Sequence, residues 1–231
     1  MSEIAAIAAP PGLKGTVTVV EPDRHERAIA RRSAETRATV PSLEITSQVD
    51  MELAVASAAN LGCSETALLI HAVARALRNA PRLNAAYRDG RYELYSRVNL
   101  GVTLIAPGIH VTPTIFDADE KSAVQIAAEL TDHREHAREG ELHPAQLTGA
   151  TFTVVDSSAY GTLTVSPLIV APQSGALACG PIREVPVLRE GRLISAHTMA
   201  LVLSVDHRIV HGHHAASFLE EVSGRLQEHD Q

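Results

Sequence analysis

The sequence feature that most constrains the fold lies near the C-terminus, where an apolar run meets a short polar segment and then a helical pattern. Residues 203–205 have the character of a buried strand, Asp206, His207 and Arg208 follow, and a helix is predicted over residues 213–227. A histidine at the junction of a strand and a helix can be held in one orientation and still reach a cleft, as a general base must. The sequence therefore predicts a catalytic role for His207. The alternative is a buried histidine that only makes local hydrogen bonds.

Composition predicts one large globular domain with an aliphatic core. Of the 231 residues 45% are apolar and 20% are charged, only 3% are aromatic, and Trp is absent. The formal net charge is −7 and no Lys/Arg tract stands out, which argues against nucleic acid as the main partner. Cys63 and Cys179 are too few and too far apart in sequence for a disulfide scaffold or a Cys-based zinc site.

The N-terminal residues 1–23 contain several Pro and Gly residues and predict an extended arm. Residues 4–11 within it are apolar, but they lack a basic n-region and are too short to span a bilayer. We expect no membrane association and a cytoplasmic location. Residues 24–231 show no repeat and no flexible linker, so they are interpreted as a single domain.

Hydrophobic periodicity switches repeatedly between the two secondary-structure types, which predicts a mixed α/β fold. Helices are predicted over residues 25–40, 64–79, 122–139 and 213–227, with Ser64 as the N-cap of the second. Strands are predicted over residues 43–51, 92–95, 98–106, 111–116, 151–155, 165–170, 175–179, 182–189 and 195–205.

Eight blocks of the sequence, in the right order and with compatible spacing, resemble one known family. The segment from Asp206 to Gly212 resembles the Asp-His-Arg-x-x-Asp-Gly signature of the acyltransferase (E2) catalytic domain of 2-oxo acid dehydrogenase complexes. The strand that contains Asn99 resembles the family's Asn-x-Gly-x-Ala, and residues 147–154 resemble Leu-x-Gly-Gly-Thr-Phe-Thr-Ile. The other blocks are residues 27–33, 40–50, 113–119, 137–142 and 166–173.

The resemblance implies an α/β fold of the chloramphenicol acetyltransferase type, a two-layer sandwich in which helices flank a mixed β-sheet. It implies homotrimers with active sites at the subunit interfaces, and a channel that CoA enters from one side and the acyl acceptor from the other. In such enzymes a histidine takes the proton of the attacking thiol or hydroxyl, and a Ser or Thr hydroxyl stabilises the oxyanion. Acetyl-CoA is the expected acyl donor, and no metal is expected.

Two positions depart from the family pattern. His211 stands where the signature has Asp, and it could replace that residue in part through its own hydrogen bonds or act as a second proton shuttle. Val155 stands where ungapped alignment places the hydroxyl donor, and valine cannot donate a hydrogen bond. We expect Ser157, or else Ser158, to supply a substitute hydroxyl. The alternatives are a main-chain N–H, a water molecule, or two serines that only shape the turn.

The neighbours of the predicted base are interpreted as structural. Asp206 is expected to anchor the strand end or Arg208, and Gly212 opens the last helix. A zinc site is an alternative use of the histidines, but the first of them follows a predicted strand and no Cys or His-Glu-x-x-His pattern supports a metal. The histidines of that alternative are His207, His211, His213 and His214.

Contacts to CoA can be assigned only weakly from the sequence. Arginines near the N-terminus could bind its phosphates, although a solvated helix face is the simpler explanation. These arginines are Arg24, Arg27, Arg31 and Arg32. The turn at Pro107 and Gly108 could line the CoA channel, on the family resemblance alone.

The departures and the length of the chain favour a freestanding acyltransferase, because the lipoyl and subunit-binding domains of E2 chains are not found before residue 24. The leading expectation is a CoA-dependent O-acetyltransferase that acts on a hydroxyl of a small molecule, such as a tetronate natural-product intermediate, with His207 as the base. One alternative is a dihydrolipoamide acyltransferase that receives its lipoyl group in trans. Another is a trimeric binding protein without catalysis.

Overall fold

The computed structural model of the chain describes residues 15–106 and 109–228. The chain divides into two compact units, one of residues 1–39 and one of residues 40–231. The predicted boundary between an arm and a domain, at residues 23 and 24, stays a prediction. The first 14 residues of the predicted arm, like the turn at Pro107 and Gly108, lie outside the described residues.

The first unit contains one helix, α1 (Arg24–Thr39), among its described residues. Two reciprocal hydrogen bonds cap its start: the Glu26 N–H donates to Asp23 Oδ1 and the Asp23 N–H donates to Glu26 Oε2, both at 2.8 Å. The arginines proposed as CoA contacts have exposed side chains on this helix. Their predicted role is not tested by the structure.

The second unit carries the remaining helices and all the named strands of the described residues. The helices are α2 (Glu52–Leu61), α3 (Glu65–Asn79), α4 (Ala123–Glu139) and α5 (Gly212–Leu226). The strands are β1 (Ser42–Asp50), β2 (Ala85–Arg88), β3 (Arg91–Leu94), β4 (Leu100–Ala106), β5 (Ile109–Val111), β6 (Thr114–Ile115), β7 (Phe152–Asp156), β8 (Gly175–Cys179), β9 (Arg183–Arg189) and β10 (Arg192–Asp206).

The main sheet is mixed, as predicted, and has the order β1-β10-β8-β7-β4-β5. β7 runs parallel to both β4 and β8, whereas β10 runs antiparallel to β8 and to β1. β6 pairs with β4 and β9 pairs with β10, while β2 and β3 form a separate hairpin. The α/β class expected from the sequence is therefore confirmed.

The core lies between one face of this sheet and the helices α3 and α5. Alternation along the strands sends Leu100, Val102, Phe152 and Val154 into this core, where the ring of Phe152 lies 5.9 Å from that of Phe218 on α5. Most core positions are aliphatic, as the composition predicts. The predicted cap is also present, since the Ser64 hydroxyl accepts from the Ala67 N–H at the start of α3.

One predicted strand is wrong and another is wrong in part. Residues 165–170 form no strand, because no described strand pairs with them, although Pro167 and Ile169 are buried and alternate with exposed neighbours. The predicted strand over residues 111–116 is split between β5 and β6, since Pro113 has no N–H to donate to a ladder. α2 and β2 were not foreseen.

Within residues 15–106 and 109–228, no single helix is long and apolar enough to cross a membrane. α2 and α3 taken together reach the length and apolar composition of a membrane span, but they are bent by 108° where they meet.

Candidate active site

The main chain around His207 is fixed by hydrogen bonds. β10 ends at Asp206, whose N–H donates to the Ser174 carbonyl at 2.8 Å, and the His207 N–H donates to the Pro41 carbonyl at 2.9 Å. The Ile209 N–H then donates to the Asp206 carbonyl at 3.1 Å, which closes a tight turn before α5. The side chain of His207 is exposed. Hydrogen bonds thus fix the main chain while the imidazole stays accessible to a substrate, and a general base needs that access.

Asp206 and Arg208, which flank His207 in sequence, form a bidentate ion pair. The Asp206 Oδ1 atom accepts from the Arg208 N–H at 3.0 Å and from its Nε at 2.9 Å, while Oδ2 accepts from Nη2 at 2.6 Å. The carboxylate is buried, and its hydrogen bonds raise the pKa of Arg208 above the ordinary value. Asp206 therefore contacts the arginine that was one of its two expected partners.

Two tyrosines of the β2–β3 hairpin pack against the same turn. The Tyr92 hydroxyl donates to the Arg208 carbonyl at 3.1 Å, and the Arg208 guanidinium lies 4.6 Å from the centroid of the Tyr87 ring. Arg82 lies 5.3 Å from the centroid of the Tyr92 ring and donates to the Ile209 carbonyl at 3.3 Å. Sequence reasoning missed these residues, because Tyr92 and Arg208 are 116 positions apart and no local pattern links them.

The other three histidines of the zinc alternative lie at the start of α5. The His211 ring lies 5.4 Å from the His207 ring, edge to face, and the rings of His213 and His214 are 3.8 Å apart. Burial, with the positive charge of Arg82 and the neighbouring imidazoles, lowers the pKa of His214. A neutral ring is consistent with its hydrogen bond, in which Nδ1 accepts from the His211 N–H at 3.3 Å. In the described part of the chain, no group of three or more His, Cys, Asp or Glu side chains is arranged to hold a metal ion.

The two serines expected to replace the oxyanion donor already have acceptors of their own. Ser157 is fully buried, and its hydroxyl donates to the Cys179 carbonyl at 2.7 Å. Ser158 is exposed, and its hydroxyl donates to Asp156 Oδ1 at 2.6 Å. Either serine would have to give up this bond to reach a thioester oxygen. Their catalytic roles stay predictions.

The sheet register separates His207 from Val155 within one chain. Val155 pairs with Ala178 of β8, and Ala178 pairs with Val202 of β10, so these three residues form one row across the sheet. The row spans two strand spacings, and Asp206 lies four residues further along β10 than Val202. With about 4.8 Å between strands and about 3.3 Å per residue, Val155 and Asp206 are about 16 Å apart. One thioester carbonyl cannot contact both positions in the same chain.

Within one chain, the structure therefore places the predicted site residues in two separate groups. The residues at the turn between β10 and α5 are Asp206, His207, Arg208, His211 and Gly212. The residues at and beyond the C-terminal end of β7 are Val155, Ser157 and Ser158.

Comparison with known proteins gives a consistent assignment. Residues 14–231 match the family described as 2-oxoacid dehydrogenases acyltransferase (catalytic domain). A dihydrolipoyllysine-residue succinyltransferase component of the 2-oxoglutarate dehydrogenase complex from Bartonella vinsonii is 36% identical over 158 residues, which make up 68% of this chain and 38% of the relative. The chain spans between 38% and 50% of the length of the first curated relatives that it matches.

Solved structures agree with this match. The Azotobacter vinelandii dihydrolipoamide acetyltransferase superimposes with a TM-score of 0.85 at 25% identity, covering 94% of this chain and 96% of that one. A chloramphenicol acetyltransferase superimposes with a TM-score of 0.56 at 19% identity, covering 85% and 94% of the two chains, which shows the shared fold alone.

The Azotobacter enzyme has been studied for the catalytic roles of a serine, a histidine and an asparagine. Its histidine follows the serine by 52 residues and precedes the asparagine by four. In this chain the same intervals from His207 lead to Val155 and His211. With His207 taken as the counterpart of that histidine, as its Asp-His-Arg motif indicates, valine and histidine stand in place of the serine and the asparagine. By its sequence match and its fold, the chain belongs to the acyltransferase family of the 2-oxoacid dehydrogenases.

Proposed function

We propose that this protein transfers an acyl group between CoA and a thiol of a dihydrolipoyl group, with His207 as the general base. The observation that carries the proposal is the exposed His207 ring on a turn fixed by hydrogen bonds on both sides, in a chain that matches the 2-oxoacid dehydrogenase acyltransferase family. The Bartonella and Azotobacter relatives act, by their names, on dihydrolipoyl groups.

The reaction needs one proton to move twice. An imidazole nitrogen of His207 takes the proton of the attacking thiol, and the sulfur attacks the carbonyl carbon of the acyl-CoA thioester. The carbonyl oxygen becomes an oxyanion while the new C–S bond forms. Collapse of this tetrahedral intermediate expels the CoA thiolate, which receives the proton back from His207. The protein supplies proximity, a base and stabilisation of the oxyanion.

The proposal includes a site shared between copies of the chain. Because about 16 Å separate Val155 from Asp206 within one chain, the oxyanion position near a given His207 has to come from a second copy. A homotrimer with one such site at each interface satisfies this requirement. The cubic core of a pyruvate dehydrogenase complex, which superimposes with a TM-score of 0.85, is an assembly of this fold.

Acetyl transfer to the hydroxyl of a small molecule, such as a tetronate, is the second candidate. It was the first expectation from the sequence, and it now rests only on the changed residues at Val155 and His211. The Bartonella and Azotobacter relatives are named for dihydrolipoyl groups, so a thiol acceptor has the stronger support.

Purified protein given acetyl-CoA or succinyl-CoA, with free dihydrolipoamide as acceptor, tests the proposal. We expect S-acyl dihydrolipoamide and free CoA to appear together by liquid chromatography, and the His207→Ala variant to lose at least about a hundredfold in rate. Hydroxyl acceptors tested in parallel separate the two candidates. Equal rates for the parent and His207→Ala would contradict both, and turnover of alcohols alone would favour the second.

A further inference from the structure

The proposed reaction lacks an obvious donor for the oxyanion. Val155 occupies the position of the catalytic serine of the Azotobacter enzyme, counted by its interval from the histidine, and carries no hydroxyl. The nearest hydroxyls along the chain are those of Thr153, Ser157 and Ser158, and they donate to Gln173, Cys179 and Asp156 respectively. A substitute donor that keeps its proton free for a substrate would therefore have to come from another strand.

Thr103 is the cross-strand neighbour of Val155. In the parallel pair formed by β4 and β7, Thr103 is registered with Val155. The preceding pair, Val102 and Val154, is buried in the helix-covered core, so alternation places Thr103 and Val155 together on the opposite face. Neighbouring strands are about 4.8 Å apart, which brings the hydroxyl at position 103 within about 5 Å of the place of the missing one.

The Thr103 hydroxyl can direct its proton to an oxyanion. Its Oγ1 atom lies 3.1 Å from Oγ1 of Thr112, and either oxygen can be the donor of this hydrogen bond. A threonine hydroxyl has one donor and two acceptor sites, so Thr112 can donate to Thr103 while Thr103 donates onward. Such a chain strengthens the outer donor. Thr103 is also nearly buried, and a donor in a water-excluded position stabilises charge more strongly than an exposed one.

The sequence also supports a hydroxyl at position 103 in place of the one missing at position 155. The motif that the strand resembles, Asn-x-Gly-x-Ala, ends on alanine, and this chain has Thr103 at that position. A hydroxyl is thus gained on β4 beside the position at which β7 lacks one.

We propose that the hydroxyl of Thr103 replaces the missing serine as the oxyanion donor, in a site where His207 of one copy faces Thr103 and Val155 of the next. The inference rests on the proposed acyl transfer. When the thiolate attacks, the carbonyl oxygen takes up the π electrons and accepts a hydrogen bond from Thr103 Oγ1. That bond is released when the intermediate expels the CoA thiolate. No proton leaves Thr103 in either step.

The test compares variants that differ in one hydroxyl. Thr103→Val keeps the shape of the side chain and removes the donor, and we expect kcat to fall by about 10²- to 10³-fold, the usual effect of losing an oxyanion donor. Thr103→Ser keeps the donor and should retain most of the activity. In the Thr103→Ala background, adding Val155→Ser restores the family arrangement and should recover the rate. Thermal unfolding shows whether each variant is folded.

Each outcome decides the inference. An unchanged rate in Thr103→Val, or an equal loss in Thr103→Val and Thr103→Ser, would overturn it. If Thr103→Val does not fold, Thr103→Ala with and without Val155→Ser gives the answer, and failure of Val155→Ser to raise the rate counts against Thr103. Slow hydrolysis of acetyl-CoA, which passes through the same oxyanion, is measured as well. If the parent does not acylate dihydrolipoamide but hydrolyses acetyl-CoA, and Thr103→Val loses this hydrolysis, the proposed function fails and this inference stands. A parent that breaks down no acyl-CoA in either assay would overturn both.

Discussion

The hydroxyl of Tyr92 donates a hydrogen bond of 3.1 Å to the carbonyl of Arg208, the residue next to His207. The bond ties the β2–β3 hairpin to the turn that carries the imidazole. Arg82 adds a second link, because its guanidinium contacts the Tyr92 ring and the Ile209 carbonyl. We therefore expect the orientation of His207 to depend on a hairpin that is distant in sequence.

Tyr92→Phe should lower kcat and leave KM for the acyl-CoA nearly unchanged. The variant keeps the ring and removes one hydrogen bond, which contributes about 0.5–1.5 kcal/mol. If that energy holds the base in place, kcat falls by about two- to twelvefold. Steady-state kinetics measures the split between the two constants. Tyr160→Phe, at an exposed position beyond β7, is the matched control, and a similar fall in this variant would argue against the hairpin.

Asp206→Asn should destabilise the fold and reduce activity together. The asparagine amide has one acceptor oxygen, so it cannot accept both hydrogen bonds that the Arg208 guanidinium donates to the two carboxylate oxygens. The positive charge of Arg208 also loses its negative partner at a buried position. Losing hydrogen bonds to a charged partner costs about 1.5–3 kcal/mol. Urea unfolding measures the change. Asp119→Asn, which breaks the pair with Arg78 at 3.2 Å, is the control for destabilisation elsewhere and should keep kcat. A fully stable Asp206→Asn protein would contradict the role given to the pair.

Cys179 should be unreactive in the native protein. Burial, with the nearby charge of Asp156, raises the pKa of its thiol to about 12, so almost no thiolate exists at pH 8. Cys63 is only partly buried and should react first with iodoacetamide. Mass spectrometry of digested protein locates the label, and Cys63→Ser should abolish labelling until denaturant is added. Rapid labelling of Cys179 without denaturant would show that β8 opens readily.

Glu52 should contribute to the acid sensitivity of the fold. The His197 N–H donates to Glu52 Oε1 at 2.6 Å, and this bond lowers the pKa of the carboxyl from its ordinary value near 4.5. The unfolded chain then binds more protons between the lowered pKa and 4.5, so the stabilisation is present above pH 4.5 and is lost as the pH falls through the folded value. Urea unfolding between pH 6 and pH 3 should show the parent and Glu52→Gln converging in stability.

Glu135→Gln, on the exposed side of α4, controls for the loss of one negative charge in that experiment. A constant difference between the parent and Glu52→Gln down to pH 3 would exclude the hydrogen bond with His197 as its source.

The sequence by itself determined the features that depend on near neighbours along the chain. The cap at Ser64 and the strand that ends before His207 follow from side-chain chemistry and periodicity over a few residues. The mixed α/β class follows from the same patterns. The family resemblance also located Val155 as the position that lacks a donor.

Only the tertiary structure decided which distant residues meet. The pairing of Thr103 with Val155 depends on β4 lying beside β7, and the bond from Tyr92 to Arg208 depends on where the hairpin packs. Strand order follows from how the whole chain buries its apolar surface, and no local pattern carries that information. The register likewise sets Val155 about 16 Å from Asp206, the residue before His207, and no local pattern gives that separation.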